Sequence, residues 1–227
     1  MKLIKPSFEI LSFIDSDTIL KNIEIAGRTC YKSEDSITSK SAPKFIQMLI
    51  SKGHESVLEH EKITVRFVCD RGVSHELVRH RIASFSQEST RYCNYSKDKF
   101  DGELTFIIPE WMESTLPTNK AYCGNDDAWW ETFDELRDPN LLWLNSMQVA
   151  ENNYLNLLKL GWQPQQARSI LPNSLKTEIV VTANLREWRT IFKQRTSNAA
   201  HPQMREIMNP LLYELKLLIP VVFDDLN

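Results

Sequence analysis

The sequence predicts one α+β domain, and three observations lead there. Residues 62–68 alternate cleanly, with Ile63, Val65 and Phe67 opposed to Thr64, Arg66 and Val68, the pattern of a strand. Capped apolar runs flank it, such as the one opened by Ser41 and Pro43 and stopped by Gly53. The chain of 227 residues is long enough for a substantial core, and it carries no repeats, low-complexity tracts or linkers.

The elements follow in order. Residues 7–14 are apolar enough for a first strand, and Asp17 opens a helix with Ile19, Leu20 and Ile23 that ends near Gly27. Phe45, Met48 and Leu49 form the stripe of the helix begun at Ser41. After Asp70-Arg71-Gly72 a short helix runs through Val73 and Leu77, and on it Glu76 stands three before Arg79 and four before His80, within reach of either. Residues 104–108 read as a strand closed by Pro109, and 111–137 as a mixed, acidic and aromatic stretch, partly helical. Asp138-Pro139 starts a helix reaching Gly161, with Leu142, Val149, Leu157 and Leu158 among its buried residues. Pro164 starts a short helix that includes Arg168 and stops before Pro172; a strand at 178–184 and a helix at 185–195 follow. Pro202 opens the last helical stretch, where Asn209-Pro210 either kinks it or caps a new one.

Composition excludes several classes. Hydrophobic content of 42% and charged content of 25% belong to an ordinary soluble protein, without a membrane-spanning run or signal pattern, so the cytoplasm is the expected location. Cys30, Cys69, Cys93 and Cys123 form no Cys-x-x-Cys pair, and His54 and His60 lack a helix-face ligand spacing, so no metal site is expected. A net charge of −3 argues against a general nucleic-acid binder.

Against that balance, residues 79–92 stand out. Arg79, His80 and Arg81 are adjacent basic groups that cannot all point one way, so Arg79 and Arg81 serve one group and His80 another. If the chain continues extended, Gln87, Ser89 and Arg91 share one face: an amide, a hydroxyl and a planar fork suited to phosphate. Such a run is also what a solvated face looks like, but here the local basicity is not inherited from a basic chain. Arg195 lies over Trp188, Ile191 and Phe192 at the end of an apolar face, where a cation must be paired, snorkel to water or meet a bound anion.

Arg-His-Arg followed by seven residues and Ser89, extended through Thr90 to Arg91 and Tyr92, resembles the signature of the flavin-dependent thymidylate synthases. The likeness runs from Cys30-Tyr31-Lys32-Ser33 through residues 53–60 to Ala167-Arg168 and 184–195, and leaves 111–140 as a variable excursion in a domain spanning residues 1–227. It implies a mainly antiparallel sheet flanked by helices, and reductive methylation of dUMP to dTMP. FAD would be the cofactor, 5,10-methylenetetrahydrofolate the carbon donor and NADPH the reductant, in a homotetramer whose active sites are shared between subunits. It places Arg79, His80, Arg81, Gln87, Asn184 and Arg186 on the flavin, His54 and Ser56 beside it, and Thr190 where some relatives carry a flavin-contacting amide. Arg79, Gln87, Ser89, Arg91 and Arg168 would hold the nucleotide, Arg168 from across a subunit boundary. Arg195 would face the uracil and favour its ionised N3, making C5 more nucleophilic. Two departures matter: Ser86-Gln87 replaces an Asn-Glu of some relatives, and Glu76 replaces a glutamine. A carboxylate beside phosphate is repulsive, so Glu76 is expected to orient Arg79 or His80, although its position belongs to the nucleotide side.

No Pro-Cys dipeptide is present, so activation of the ring rests on Arg195 and FAD rather than on a cysteine nucleophile. The absence of a Gly-x-Gly-x-x-Gly loop speaks against a Rossmann flavin site. Two rival readings stay open: a flavin-binding NADPH oxidase without transferase activity, and a single-stranded nucleic-acid binder using Phe85 and Tyr92 as stacking platforms.

Overall fold

The computed structural model describes residues 1–112 and 138–226. The α+β reading holds: a four-stranded antiparallel sheet is flanked by helices, and two further strands form a small parallel pair. The chain divides into two compact units, each discontinuous in sequence: Met1–Pro6, Val68–His75 and Gln87–Glu178 in one, Ser7–Phe67, Glu76–Ser86 and Ile179–Asn227 in the other.

The second unit contains most of the sheet. Strands β2 (Ser7–Ile10), β3 (Lys62–Asp70), β6 (Lys176–Asn184) and β4 (Ala83–Gln87) lie in the order β2-β3-β6-β4, and the ends of β3, β4 and β6 run on into the first unit. On β3 the predicted alternation is realised, with Ile63, Val65 and Phe67 fully buried. The strand expected over 7–14 stops at Ile10 because the Ser12 hydroxyl takes the Thr64 N–H at 2.8 Å and ends the ladder.

Helix α1 (Ser16–Tyr31) outruns its expected end at Gly27. A Cβ on Gly27 would lie 2.7 Å from Phe45 Cε1 and 3.0 Å from Leu49 Cδ1, so this glycine permits the close crossing of α1 over α2 (Ala42–Ser51) rather than stopping a helix. Lys32, in the left-handed region at φ 48°, ends α1 instead. Gly53 follows α2 at φ 73°, as expected of a stop. After β3 comes α3 (Arg71–Leu77), its first turn tied by the Val73 N–H to Asp70 Oδ1 at 2.7 Å.

Helix α6 (Leu185–Arg195) leaves β6 directly. The Asn184 side chain accepts from the Glu187 N–H at 2.8 Å, an N-cap that fixes where the helix begins. Trp188 and Phe192 are buried against Phe67 and Phe223, and the Trp188 indole N–H donates to the Ile63 carbonyl at 3.0 Å. Helix α7 (Pro202–Leu218) passes through Pro210 with no new cap, because Ile207, Met208, Leu211 and Leu212 on either side are buried. The short α8 (Pro220–Phe223) completes the unit.

In the first unit, β1 (Lys2–Ile4), which the sequence did not announce, pairs in parallel with β5 (Thr105–Ile107). Helix α4 (Pro139–Lys159) begins at Asp138, whose carboxylate accepts from the Asn140 N–H at 2.8 Å. Its buried residues are Leu144, Met147, Glu151 and Tyr154; the expected Leu142 is exposed, and Val149, Leu157 and Leu158 are half-buried. Glu151 sets that phase, because its carboxylate accepts from the buried Leu104 N–H at 2.8 Å. Helix α5 (Pro164–Ala167) is closed by a 3-10 turn at Arg168–Ile170. The expected excursion over 111–137 falls outside the described residues except at its edges: Trp111 and Met112 belong to a 3-10 turn at Glu110–Met112.

Candidate active site

The second unit gathers four of its charged or titratable side chains along α6. Arg195, in the last turn, donates from Nη1 to Glu76 Oε2 at 2.6 Å, from Nη2 to the Glu76 carbonyl at 3.1 Å, and from Nε to His80 Nε2 at 3.0 Å. Glu76 therefore pairs with Arg195 rather than orienting Arg79 or His80. The helical spacing that suggested those partners ends at Leu77, where the chain turns with the Arg79 N–H on the Glu76 carbonyl.

His80 is not a third cation. As the acceptor for Arg195 it must carry its proton on Nδ1, which lies 3.5 Å from a Glu187 carboxylate oxygen. Burial and the Arg195 charge depress its pKa to about 4, while burial raises that of Glu187. The sign for stability follows. His80 is harder to protonate in the folded chain than in the unfolded one, where its value is near 6.5. Its contribution is complete above pH 6.5 and is lost as pH falls toward 4, amounting to about 3 kcal/mol over that window. Glu187, raised, opposes part of this at the acid end. Urea denaturation of the wild type and His80→Gln at pH 7.5, 6.0 and 4.5 should show the variant with the flatter profile; parallel losses would remove His80 from the account.

Arg79 and Arg81 are exposed, and neither side chain has a hydrogen bond or ion pair with another described residue. Around the start of α6 the geometry is different. The Asn184 amide oxygen is committed to its cap, Arg186 pairs with Glu59, and the Thr190 hydroxyl donates back to the Arg186 carbonyl at 3.2 Å. His54 Nδ1 lies 2.8 Å from the Tyr31 hydroxyl, and the exposed Ser56 follows in the 3-10 turn Glu55–His60.

Arg189 is the residue that sequence reasoning missed. It is 1% exposed and binds both Asp225 carboxylate oxygens at 2.6 Å, Glu55 at 3.1 Å and the Val222 carbonyl. The signal was the one used for Arg195: a cation on the apolar face, between Leu185 and Phe192.

The first unit holds the rest of the signature. The Gln87 amide donates to Ser74 Oγ at 2.9 Å and to Thr177 Oγ1 at 3.2 Å. The expected extended strip through Tyr92 does not form. Strand β4 ends at Gln87, and the Ser89 carbonyl accepts from the Tyr92 and Cys93 N–H groups while its hydroxyl accepts from the Arg91 N–H. A serine capturing the backbone just ahead of it makes a turn, so Gln87, Ser89 and Arg91 share no strand face. Arg168 donates to the buried Thr90 at 3.4 Å, which brings it to this turn, and the exposed Arg91 lies over the Tyr92 ring at 5.3 Å. Glu88, also unanticipated, accepts from Tyr95 at 2.9 Å and from Lys176 at 3.0 Å, and burial first, then Glu88, pushes the tyrosine pKa well up.

Among the described cysteines, Cys30 is exposed, Cys93 half-buried and Cys69 buried, its thiol pushed up to about 12 by burial and then by Asp70. That is the opposite of an activated nucleophile.

Comparison with known proteins defines the class. The family model described as Thymidylate synthase complementing protein matches residues 12–221. The flavin-dependent thymidylate synthase of Corynebacterium glutamicum is 31% identical over 208 residues, 89% of this chain and 78% of that protein. Those of Corynebacterium aurimucosum (34% over 209 residues, 90% and 79%) and Mycobacterium tuberculosis (32% over 206 residues, 89% and 78%) are similar to the same extent. The crystal structure of the UMP/dUMP methylase PolB from Streptomyces cacaoi bound with 5-Br dUMP shares the fold, with a TM-score of 0.73 at 22% identity over 99% of this chain and 96% of that one. This chain belongs to the flavin-dependent thymidylate synthase family and is a methyltransferase.

Proposed function

We propose that the chain converts dUMP to dTMP, with 5,10-methylenetetrahydrofolate as carbon donor, FAD as cofactor and NADPH as reductant. The observation that carries this reading, beside family membership, is Arg195: a guanidinium fixed by Glu76 and His80 with part of its donor capacity uncommitted. Such a fixed cation favours the ionised form of uracil N3, which makes C5 a better nucleophile toward the one-carbon unit, and asks for no enzyme thiol. The PolB structure, with a bromo derivative of dUMP bound, supports a uracil nucleotide as substrate.

FAD fits the side chains present. Arg79 and Arg81 are exposed cations without a partner among the described residues, suited to a pyrophosphate. Asn184, Arg186, Thr190, His54, Ser56 and the neutral His80 would complete the flavin site, and Gln87 is proposed as a contact for the flavin and for the nucleotide. Bound FAD, once reduced, supplies the hydride that finishes the methyl group. Ser89, Arg91 and Arg168 would hold the phosphate, and Arg195 with Glu76 the ring. We read residues 1–227 as one catalytic domain acting as a homotetramer in the cytoplasm, with Arg168 serving a neighbouring subunit; among the described residues no helix is long and apolar enough to cross a membrane.

The test is dTMP formation by purified protein, with FAD, NADPH and methylenetetrahydrofolate withheld in turn. Product that requires all three is expected. NADPH oxidation that ignores dUMP would leave a flavin oxidase and overturn the reading.

A further inference from the structure

We propose that the first unit carries a second ligand site, at the corner between α4 and α5, for a small aromatic anion, and that filling it tightens dUMP binding. Binding at this corner is independent of the proposed reaction; its coupling to dUMP rests on that reading of the substrate.

The local sequence builds the corner. Gly161, at φ 99°, lets the chain turn back at the end of α4, with its own N–H on the Leu158 carbonyl and the Trp162 N–H on the Leu157 carbonyl, both at 3.0 Å. The turn leaves the Trp162 side chain 45% exposed, at a cavity of about 470 Å³. That volume is in the range of small-molecule sites. Leu155 and Leu158, half-buried and packed on the core of this unit, give the cavity an apolar lining together with Pro164.

The polar lining offers donors. Asn94 Oδ1 accepts from the Ser96 N–H at 3.0 Å and the Ser96 hydroxyl at 2.6 Å, so the amide group it has left to offer is Nδ2. The Gln163 side-chain oxygen accepts from the Gln166 N–H in a capping box, which leaves Nε2. The Trp162 indole nitrogen only donates, and Lys159 is an exposed ammonium; neither side chain has a hydrogen bond or ion pair with another described residue. No carboxylate lines the cavity among the described residues. Uncommitted N–H groups, one of them cationic, beside an indole and two leucines select a flat apolar ring that carries a carboxylate, sulfonate or phosphate.

Both walls lead to the nucleotide residues. Asn94 directly follows the turn made by Ser89, and Gln163 and Pro164 open the segment that closes with Arg168. These two segments meet at the bond from Arg168 to Thr90, which at 3.4 Å is long for a hydrogen bond. A ligand held by Asn94 on one segment and by Trp162 and Gln163 on the other ties them together a second time. Less order is then lost when Ser89, Arg91 and Arg168 close on a phosphate, and that saving appears as affinity. By linkage, dUMP tightens the aromatic anion by the same factor.

The experiment titrates 2-naphthoate into the FAD-loaded protein by calorimetry, with and without saturating dUMP, for wild type, Lys159→Glu and Trp162→Ala. Both substituted side chains are exposed, so neither change threatens the fold. Wild type should bind in the millimolar range or tighter, with dUMP present as well as without it, and should not bind the neutral 2-naphthamide comparably. Each variant should bind naphthoate about tenfold more weakly. In equilibrium dialysis, naphthoate at a concentration that saturates wild type should raise dUMP affinity about fivefold, the low end of coupling between sites. The variants, which should match wild type without naphthoate, should show little of that rise. Displacement of naphthoate by dUMP, or binding that neither substitution weakens, would overturn the site. Unchanged dUMP affinity would overturn the coupling. Naphthoate binding that needs Lys159 and Trp162, in a protein that ignores dUMP, would uphold the site and overturn the substrate reading together with the coupling built on it.

Discussion

Replacing Arg189 with methionine is expected to cost about 3 kcal/mol of folding stability, the lower end of what breaking a buried ion pair costs. Arg189 is 1% exposed and joins α6 to Asp225 by a two-pronged pair, to the Val222 carbonyl, and to Glu55 in the turn that carries His54 and Ser56. Methionine fills the apolar stem but leaves Glu55, only 18% exposed, with the more distant Lys193 as its remaining cation. Asp225→Asn should cost less, about 1–2 kcal/mol, because the buried Arg189 keeps Glu55, the Val222 carbonyl and the new amide oxygen as acceptors. The Asp225 pKa is lowered chiefly by its hydrogen bonds to Arg189, so its part of the stability is present above the unfolded value of 3.8 and is lost as pH falls through the lower folded value. Urea denaturation at pH 7 checks the ranking. Equal losses in the two variants would mean that the Asp225 contact, not the burial of Arg189, carries the energy.

Much of the fold was legible because period and caps agree. The alternation at 62–68, the Asp138-Pro139 start of α4 and the 185–195 helix each combine a hydrophobic period with a cap or a strand boundary, and each element formed. The misreadings have specific causes. Gly27 looks like a stop, but a glycine needed for close helix crossing has the same local sequence, and only the distance to Phe45 separates the two. Extension of the signature through Tyr92 followed from alternation; Ser89 redirected the chain because its carbonyl and hydroxyl capture the next N–H groups. The phase of α4 was set by Glu151, a polar residue that no apolar pattern counts.

At the candidate site, the residue types were legible and their partners were not. Arg195 was readable as a cation on an apolar face, but Glu76 lies 119 residues away, and its helix ends one residue later, which voids the local spacing rule. His80 read as basic until burial and an arginine donor made it a neutral acceptor. Arg189 carried the same signal as Arg195 and differs in being fully enclosed, a property that the length of α6 alone does not reveal.

The central claim is that Arg195 activates the uracil electrostatically, with hydride from bound FAD and without an enzyme thiol. Its most direct measurement is a single turnover: protein reduced beforehand, given dUMP and methylenetetrahydrofolate without NADPH, wild type against Arg195→Ala. Loss of one fixed group that stabilises the reacting imide anion lowers a chemical step by about 100- to 1,000-fold, and the loss should sit in the rate of dTMP formation at saturating dUMP, with FAD still bound. Arg195→Lys should recover only part of it, since an ammonium keeps the charge but cannot span Glu76 and His80 as the planar guanidinium does. The account predicts wild-type product in about one equivalent per reduced flavin and a near-silent alanine variant. A flavin-loaded alanine variant that makes dTMP at a rate within a few fold of wild type would contradict it.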